Sequence, residues 1–303
     1  MRIYFMLAFR RVPQAPNPAL VDAVDRLRHS GFRVELGFAE ELLLEPEGLA
    51  PAHDLYVLKS HSKLWLSLAG ILDGQGARLL NPYPACAATL DKILALWRLR
   101  AAGIPTPRSW VTGDLLHLRT LAAEQPLIIK PYDGMRANGV SVIQSPSDLG
   151  ALPAPDRPVL VQEYIRGDGE DLKVYVIGTD VFAVRKPSAL AGIRAPGRRC
   201  PVSSEVRDIA LRCGRLFGLG LYGLDVMEGP DGPVVVDLNY FPSYLGVPNA
   251  APLIAAYIAD YACGLYRELK PVGLGETLDG CERNGHATMG HLWPSSPKAS
   301  SRA

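Results

Sequence analysis

Three stretches of the chain predict an α/β protein with two α+β lobes behind a small N-terminal parallel sheet. Residues 1–80 alternate strand-like and helix-like segments. Residues 126–143 read as strand, glycine-containing loop, strand. Residues 221–239 read as two strands, with the turn chemistry of GPDGP between apolar and β-branched runs. At 303 residues and 48% hydrophobic content, the chain can bury one large core or several small ones. The predicted units are an N-terminal α/β domain over 1–80, a linker helix and small lobe over 81–165, a larger lobe over 166–270, and a disordered tail over 271–303.

The N-terminal unit follows from its periodicity. RIYFMLAF is a buried strand, PALVDAVDRLRHSG an amphipathic helix ended by Gly31, FRVELGF a second strand and DLYVLKS a third. KLWLSLAGILDGQG is a further helix closed by glycines. Sites in such sheets lie beyond the carboxyl ends of strands, so Arg10, Arg11 and Lys59 are candidates to face a substrate. LDKILALWRLRAAG forms the next helix, which IPTP stops before another strand begins. In PLIIKPYDGMRANGVSVI, Lys130 ends a strand beside the loop that carries Gly134 and Gly139. Backbone amides of such a loop can cradle phosphates, and the lysine adds a point charge. VLVQEYI is the following strand; Gln162, Glu163 and Tyr164 lead into RGDGED, a place for a hinge where backbone groups can meet an adenine edge.

In the larger lobe, DLKVYVIGTDVFAVRKPS is a hairpin flanked by Lys173, Arg185 and Lys186. A basic linker holds Arg194, Arg198 and Arg199. The next helix starts at a Ser203/Ser204 cap and ends in glycines, and APLIAAYIADYACGLYREL closes the lobe. The Gly-, Ser- and Pro-rich tail contains His286 and His291, which we do not read as ligands.

The hairpin over 223–247 carries the chemistry. If its turn centres on Asp231, antiparallel pairing sets Asp225 opposite Asp237 on one face, and Asn239, two residues on, shares that face. Two carboxylates and an amide oxygen make a hard-oxygen site suited to Mg²⁺, with positions left for substrate phosphates.

Composition excludes several classes. A net charge of +1 gives no reason to expect nucleic acid or a membrane surface as partner. No apolar run approaches the length of a membrane span. The cysteines (Cys86, Cys200, Cys213, Cys263 and Cys281) are scattered without metal spacing, as expected of reduced thiols in a cytoplasm. A dinucleotide-binding turn after the first strand is ruled out, because RRVPQAPNP stands there.

The order LDK (Lys92), AGIPTP, IIKP (Lys130), glycine loop, VQEYI (Glu163), DLKVYVIG (Lys173), GLDV (Asp225) and VVVDLN (Asp237, Asn239) resembles the ATP-grasp superfamily from about residue 55 to 262. The resemblance implies an ATP-grasp fold in which two lobes clamp ATP behind an N-terminal, Rossmann-like pre-ATP-grasp domain. It implies that Lys92 and Lys130 contact phosphates, that Gln162, Glu163, Tyr164 and Ile165 line the adenine, and that Asp225, Asp237 and Asn239 hold Mg²⁺. Locally the chain is similar to the inositol trisphosphate 5/6-kinases: LKVYVIG with RKPS, DLNYFPSYLGV, and Lys59 after the third strand. It departs from them in the loop DGMRANG and in Ser243, which stands where they have glycine. RimK-type ligases share the general layout but use Glu at the position of Asp237.

The expected reaction is transfer of the γ-phosphoryl group of MgATP, with Lys130, Lys173, Arg185 and Lys186 neutralising charge on the moving group. The expected acceptor is a small-molecule carboxylate, giving an acyl phosphate that an amine converts to an amide. The alternative is a kinase acting on a hydroxyl. Arg194 and Arg198 can grip either phosphorylated species, and with Lys59 and Ser243 they complete the candidate substrate residues. A nucleotide-binding protein without catalysis is the reading against which the intact Asp225, Asp237 and Asn239 set argues.

Overall fold

A computed structural model describes residues 1–8, 17–132, 139–188, 197–266 and 269–272. The predicted tail therefore lies outside the described residues except for Pro271 and Val272, and so do Arg10, Arg11, Gly134 and Arg194.

The N-terminal sheet is parallel, as the alternation predicts. It contains β1 (Arg2–Leu7), β2 (Arg33–Phe38), β3 (Leu55–Leu58) and β4 (Leu79–Leu80) in the order β2-β1-β3-β4. Helices α1 (Pro18–His29) and α2 (Lys63–Gly74) connect its strands. Each begins at a side-chain cap: Asn17 accepts from the Ala19 amide at 3.1 Å, and Ser62 from the Trp65 amide at 3.2 Å. The two-residue β4 was not read from the sequence, being too short to show a period.

Two helices lead out of this unit, α3 (Tyr83–Leu90) and α4 (Lys92–Ala101). Asp91 separates them and caps α4 through two amides at 3.0 Å, which makes Lys92 its first residue. The second sheet is antiparallel and small: β5 (Ser109–Thr112), β6 (Leu127–Pro131), β7 (Ser141–Ile143) and β8 (Val159–Glu163), in the order β5-β8-β6-β7. Short helices α5 (Arg119–Glu124) and α6 (Pro146–Leu149) cover one side. This sheet keeps its own core, built from Leu127, Ile129, Ile143, Val161 and their neighbours.

The third sheet runs β11-β10-β9-β12-β13: β9 (Glu170–Ile177), β10 (Asp180–Pro187), β11 (Arg198–Cys200), β12 (Leu221–Gly229) and β13 (Gly232–Tyr240). The end of the predicted basic linker is thus the edge strand β11, paired with β10. Helices α7 (Ser204–Phe217) and α8 (Ala250–Ala262) pack with it, and its core is continuous with that of the N-terminal sheet. The Ser203 cap of α7 is as predicted, with Oγ accepting from Val206 N at 3.2 Å. Gly218 ends α7 at φ 70°, with the chain at Lys270 and Pro271 2.7 Å from where a Cβ would stand.

One buried residue joins the two large sheets. Asn81 is fully enclosed; its Oδ1 accepts from Gly220 N (2.8 Å) and Leu221 N (3.0 Å), and its Nδ2 donates to Leu221 O (2.8 Å). Asn81→Ala leaves two buried amides without partners, while Leu221 O still accepts from Phe241 N at 2.7 Å, so we expect a loss of about 2 kcal/mol or more, at ~1–3 kcal/mol per amide. Urea unfolding monitored by circular dichroism checks this; a change under ~1 kcal/mol would show that water replaces the amide.

Candidate active site

The hairpin of β12 and β13 sets the site. Gly229 pairs with Gly232, so the turn centres between Pro230 and Asp231 rather than on Asp231. That register alone would place Asp225 opposite Val236. A β-bulge restores the expected pairing: Asp225 faces Asp237, Val226 faces Val235, and Val236 is the extra residue. The carbonyl of Val236 accepts from Lys130 Nζ at 3.1 Å, tying the end of β6 to this bulge.

The two carboxylates lie on one face and each holds a lysine. Lys173 on β9 is the cross-strand partner of Asp225, with Nζ 2.5 Å from Oδ2. Lys92, at the start of α4, reaches Asp237 Oδ1 at 2.7 Å. Asn239 Nδ2 donates to Asp237 Oδ2 at 3.3 Å. Burial would raise the Asp237 pKa, but Lys92 and then Lys130 outweigh it and hold the carboxyl below its ordinary value. Burial would likewise lower Lys173, yet Asp225 beside it, aided by Asp171, carries it above the ordinary lysine range. Among the described residues no carboxylate pairs with Lys130; burial dominates and lowers it to about 8, against the pull of Asp237.

These groups line a cleft of about 330 Å³ between the small and large antiparallel sheets. Lys92, Lys130, Lys173, Asp225, Asp237, Gln162, Glu163, Tyr164 and Ile165 all line it. Ile128, Val140, Val226 and Met227 supply apolar walls that we did not single out from the sequence. Two of them carry a legible signal: Ile128 precedes Lys130 by two residues, and Met227 follows Asp225 by two, so strand alternation puts each on its partner's face. The backbone between the lobes is partly committed. The Glu163 amide donates to Arg108 O and the Tyr164 amide to Pro126 O, both at 3.0 Å. The Gln162 side chain donates to Ser109 Oγ at 3.1 Å. Gly139, at φ 80°, adjoins the cleft through Val140.

Strand parity corrects two expectations. Arg185 pairs with Leu172, not Lys173, and so belongs to the face opposite Asp225. Its guanidinium is engaged by Glu228 and, at 3.3 Å, by Asp168. Arg198 pairs with Arg185, shares that opposite face, and bonds Glu170 at 2.6 Å. Lys186 pairs with Asp171 and keeps the Lys173 face; burial first, then Lys173, lowers its pKa. Arg199, opposite Val184, also takes the Lys173 face. Ser243 hydrogen-bonds Tyr175, two residues along from Lys173, and its carbonyl accepts from Asn17 Nδ2 at 2.9 Å. Lys59 lies outside the cleft lining, its Nζ 5.1 Å over the Phe241 ring.

The donor chemistry fits a hard divalent cation. Among the described residues no cluster of three or more His, Cys, Asp or Glu could hold a metal ion. Two carboxylates with an amide oxygen suit Mg²⁺ only when substrate phosphates complete its shell.

Residues 89–257, more than half of the chain, match the family model described as the RimK-like ATP-grasp domain. The chain belongs to that family. It is 30% identical over 207 residues to a probable alpha-L-glutamate ligase of Stutzerimonas stutzeri, covering 61% of this chain and 68% of that one. It is similar in structure to a RimK-domain ATP-grasp protein from Sphaerobacter thermophilus, with TM-score 0.68 and 21% identity over 85% of this chain and 99% of that one. It is also similar to the ATP-grasp ligase PsnB, solved with a variant of its minimal precursor, Mg and ADP (TM-score 0.62, 22% identity, 85% and 97% covered). The chain is thus an ATP-dependent ligase of the ATP-grasp fold. The RimK-like match, rather than the local kinase motifs, identifies the family, and it does so with aspartate at 237. Among the described residues no helix is long and apolar enough to cross a membrane.

Arg185→Leu should leave ATP affinity, read by calorimetry, within about twofold, and should cost about 1 kcal/mol in urea unfolding by freeing Glu228 and Asp168. A tenfold loss of ATP affinity would return Arg185 to the cleft.

Proposed function

We propose that the protein is a carboxylate–amine ligase with L-glutamate as one of its two substrates. The observation that carries the reading is the facing pair Asp225 and Asp237, each neutralised by a lysine, on the floor of an apolar-walled cleft. Membership of the RimK-like family and the resemblance to glutamate ligases support the acceptor class.

ATP would lie with its base between Ile128 and Val140 on one side and Met227 on the other, and with its phosphates towards Lys130, Lys92 and Lys173. Asp225, Asp237 and Asn239 would hold Mg²⁺, which supplies charge neutralisation and orientation at the phosphates when bound. The carboxylate substrate attacks the γ-phosphorus, and the bond to ADP breaks. Lys130, Lys173 and Lys186 offset the charge that shifts during this transfer. The neutral amine then attacks the acyl carbon, the acyl–oxygen bond to phosphate breaks, and the departing phosphate carries off the amine's proton, which forms the amide. No side chain needs to bond covalently to either substrate; positioning and charge do the work.

The test is ADP release with L-glutamate against pools of carboxylates and amines, with hydroxylamine as a trap. Hydroxamate formation is the expected result, falling at least about 100-fold in Asp237→Asn. A phosphorylated hydroxyl compound as product would overturn the ligase reading in favour of a kinase.

Lys130 gives a pH test. With its pKa near 8 in the free protein, it is fully charged at pH 6 and loses charge as pH rises through 8. Phosphates favour the charged form, so ATP affinity should be flat below about pH 7 and fall by up to tenfold per pH unit above 8. Lys130→Arg should flatten that fall; the same slope in the variant would assign the titration elsewhere.

A further inference from the structure

The carboxyl end of β3 carries three residues, Lys59, Ser60 and His61, packed against the chain that follows β13. Ser60 is fully buried, and its carbonyl accepts from the Tyr240 hydroxyl at 2.5 Å. His61 Nε2 lies 2.8 Å from Tyr240 O, and its ring meets the Tyr240 ring edge-on with centroids 4.3 Å apart. Lys59 sits over Phe241. On the far flank Asn17, the cap of α1, donates to Ser243 O. Two non-glycine residues of the held segment have positive φ, Phe241 at 37° and Tyr244 at 55°. Such backbone persists where its surroundings over-determine it, and it gathers at functional sites. In parallel sheets, ligands bind beyond this end of the strands.

The hydrogen bond to Tyr240 fixes the proton on His61. A carbonyl only accepts, so Nε2 carries the hydrogen. Burial lowers the His61 pKa, Lys59 and Lys92 add to the effect, and the bond to Tyr240 and the charge of Asp237 oppose it without reversing it. The ring is therefore neutral at neutral pH, and Nδ1 bears a lone pair to which no described residue donates. The charged groups that face it are Lys59 from β3, Lys92 from α4 and Asp237 from β13.

We propose that His61 and Lys59 form the amine-substrate subsite: Nδ1 accepts a hydrogen bond from the ammonium of an acidic α-amino acid, and Lys59 holds its α-carboxylate. A fixed lone pair beside a fixed positive charge complements a zwitterion. It serves a plain carboxylic acid or a polyol less well. The assignment rests on the ligase reading above and adds to it a place for the amine outside the cleft lining, beside the chain that follows β13.

His61→Gln isolates the claim. A glutamine amide N–H can stand where Nε2 stood and keep the bond to Tyr240 O, while the Nδ1 lone pair is gone. The probes are L-glutamate, glutarate (no amine) and 4-aminobutyrate (no α-carboxylate). Each is titrated calorimetrically into the full chain with Mg²⁺ and a non-hydrolysable ATP analogue. We expect His61→Gln to weaken L-glutamate and 4-aminobutyrate about tenfold or more and to leave glutarate within twofold. Lys59→Met should weaken L-glutamate and glutarate and spare 4-aminobutyrate. Equal losses for glutarate and L-glutamate in His61→Gln would overturn the proposal in favour of a structural strut. Unchanged L-glutamate affinity in both variants, or no binding by the unaltered protein, would also overturn it. Failure of the ligase reading shows separately, as absent ADP release, which these titrations do not measure.

Discussion

Two like charges directly opposite each other on neighbouring strands repel, and a sheet carries such a pair only when something compensates. Here Asp237, Asp225 and Lys173 form one row across β13, β12 and β9, and Lys92 closes it from the side. The compensation comes to the hairpin from two separate places in the chain: the helix that leaves the N-terminal unit and the central strand of the large sheet. Each lysine must arrive at its carboxylate, which fixes α4 and β9 relative to the hairpin. The arrangement that neutralises the carboxylates thereby builds the floor of the cleft.

Much of this was readable from residue order. The turn residues, the alternation in VVVDLN and the apolar neighbours led to Asp225 facing Asp237. They did so through a wrong turn centre that the bulge at Val236 offsets. A bulge leaves no trace in alternation, because it is a single uncounted residue. Parity also decided the fate of the basic residues. Arg185 and Lys186 are neighbours in sequence, and adjacency made them look alike, yet consecutive strand residues point to opposite faces. Counting from Lys173 through the hairpin turn would have separated them.

His61 was out of reach for another reason. Its meaning depends on Tyr240, 179 positions away, and on the packing of one sheet's end against the other's hairpin. No local pattern reports such a meeting. The same holds for Asn81, whose three buried bonds all go to residues 139 or 140 positions away. Local propensity reveals strands and helices; the seams between units are set by tertiary packing.

The small antiparallel sheet keeps a hydrophobic interior of its own, while the other two sheets share one. The side chains that fill the roof of the cleft can therefore be repacked without disturbing those that seat the floor. Substitutions in that roof are tolerated so long as Lys130 still reaches the kinked strand below. Changes to the cleft's apolar upper wall can accumulate there, decoupled from the row of charges underneath.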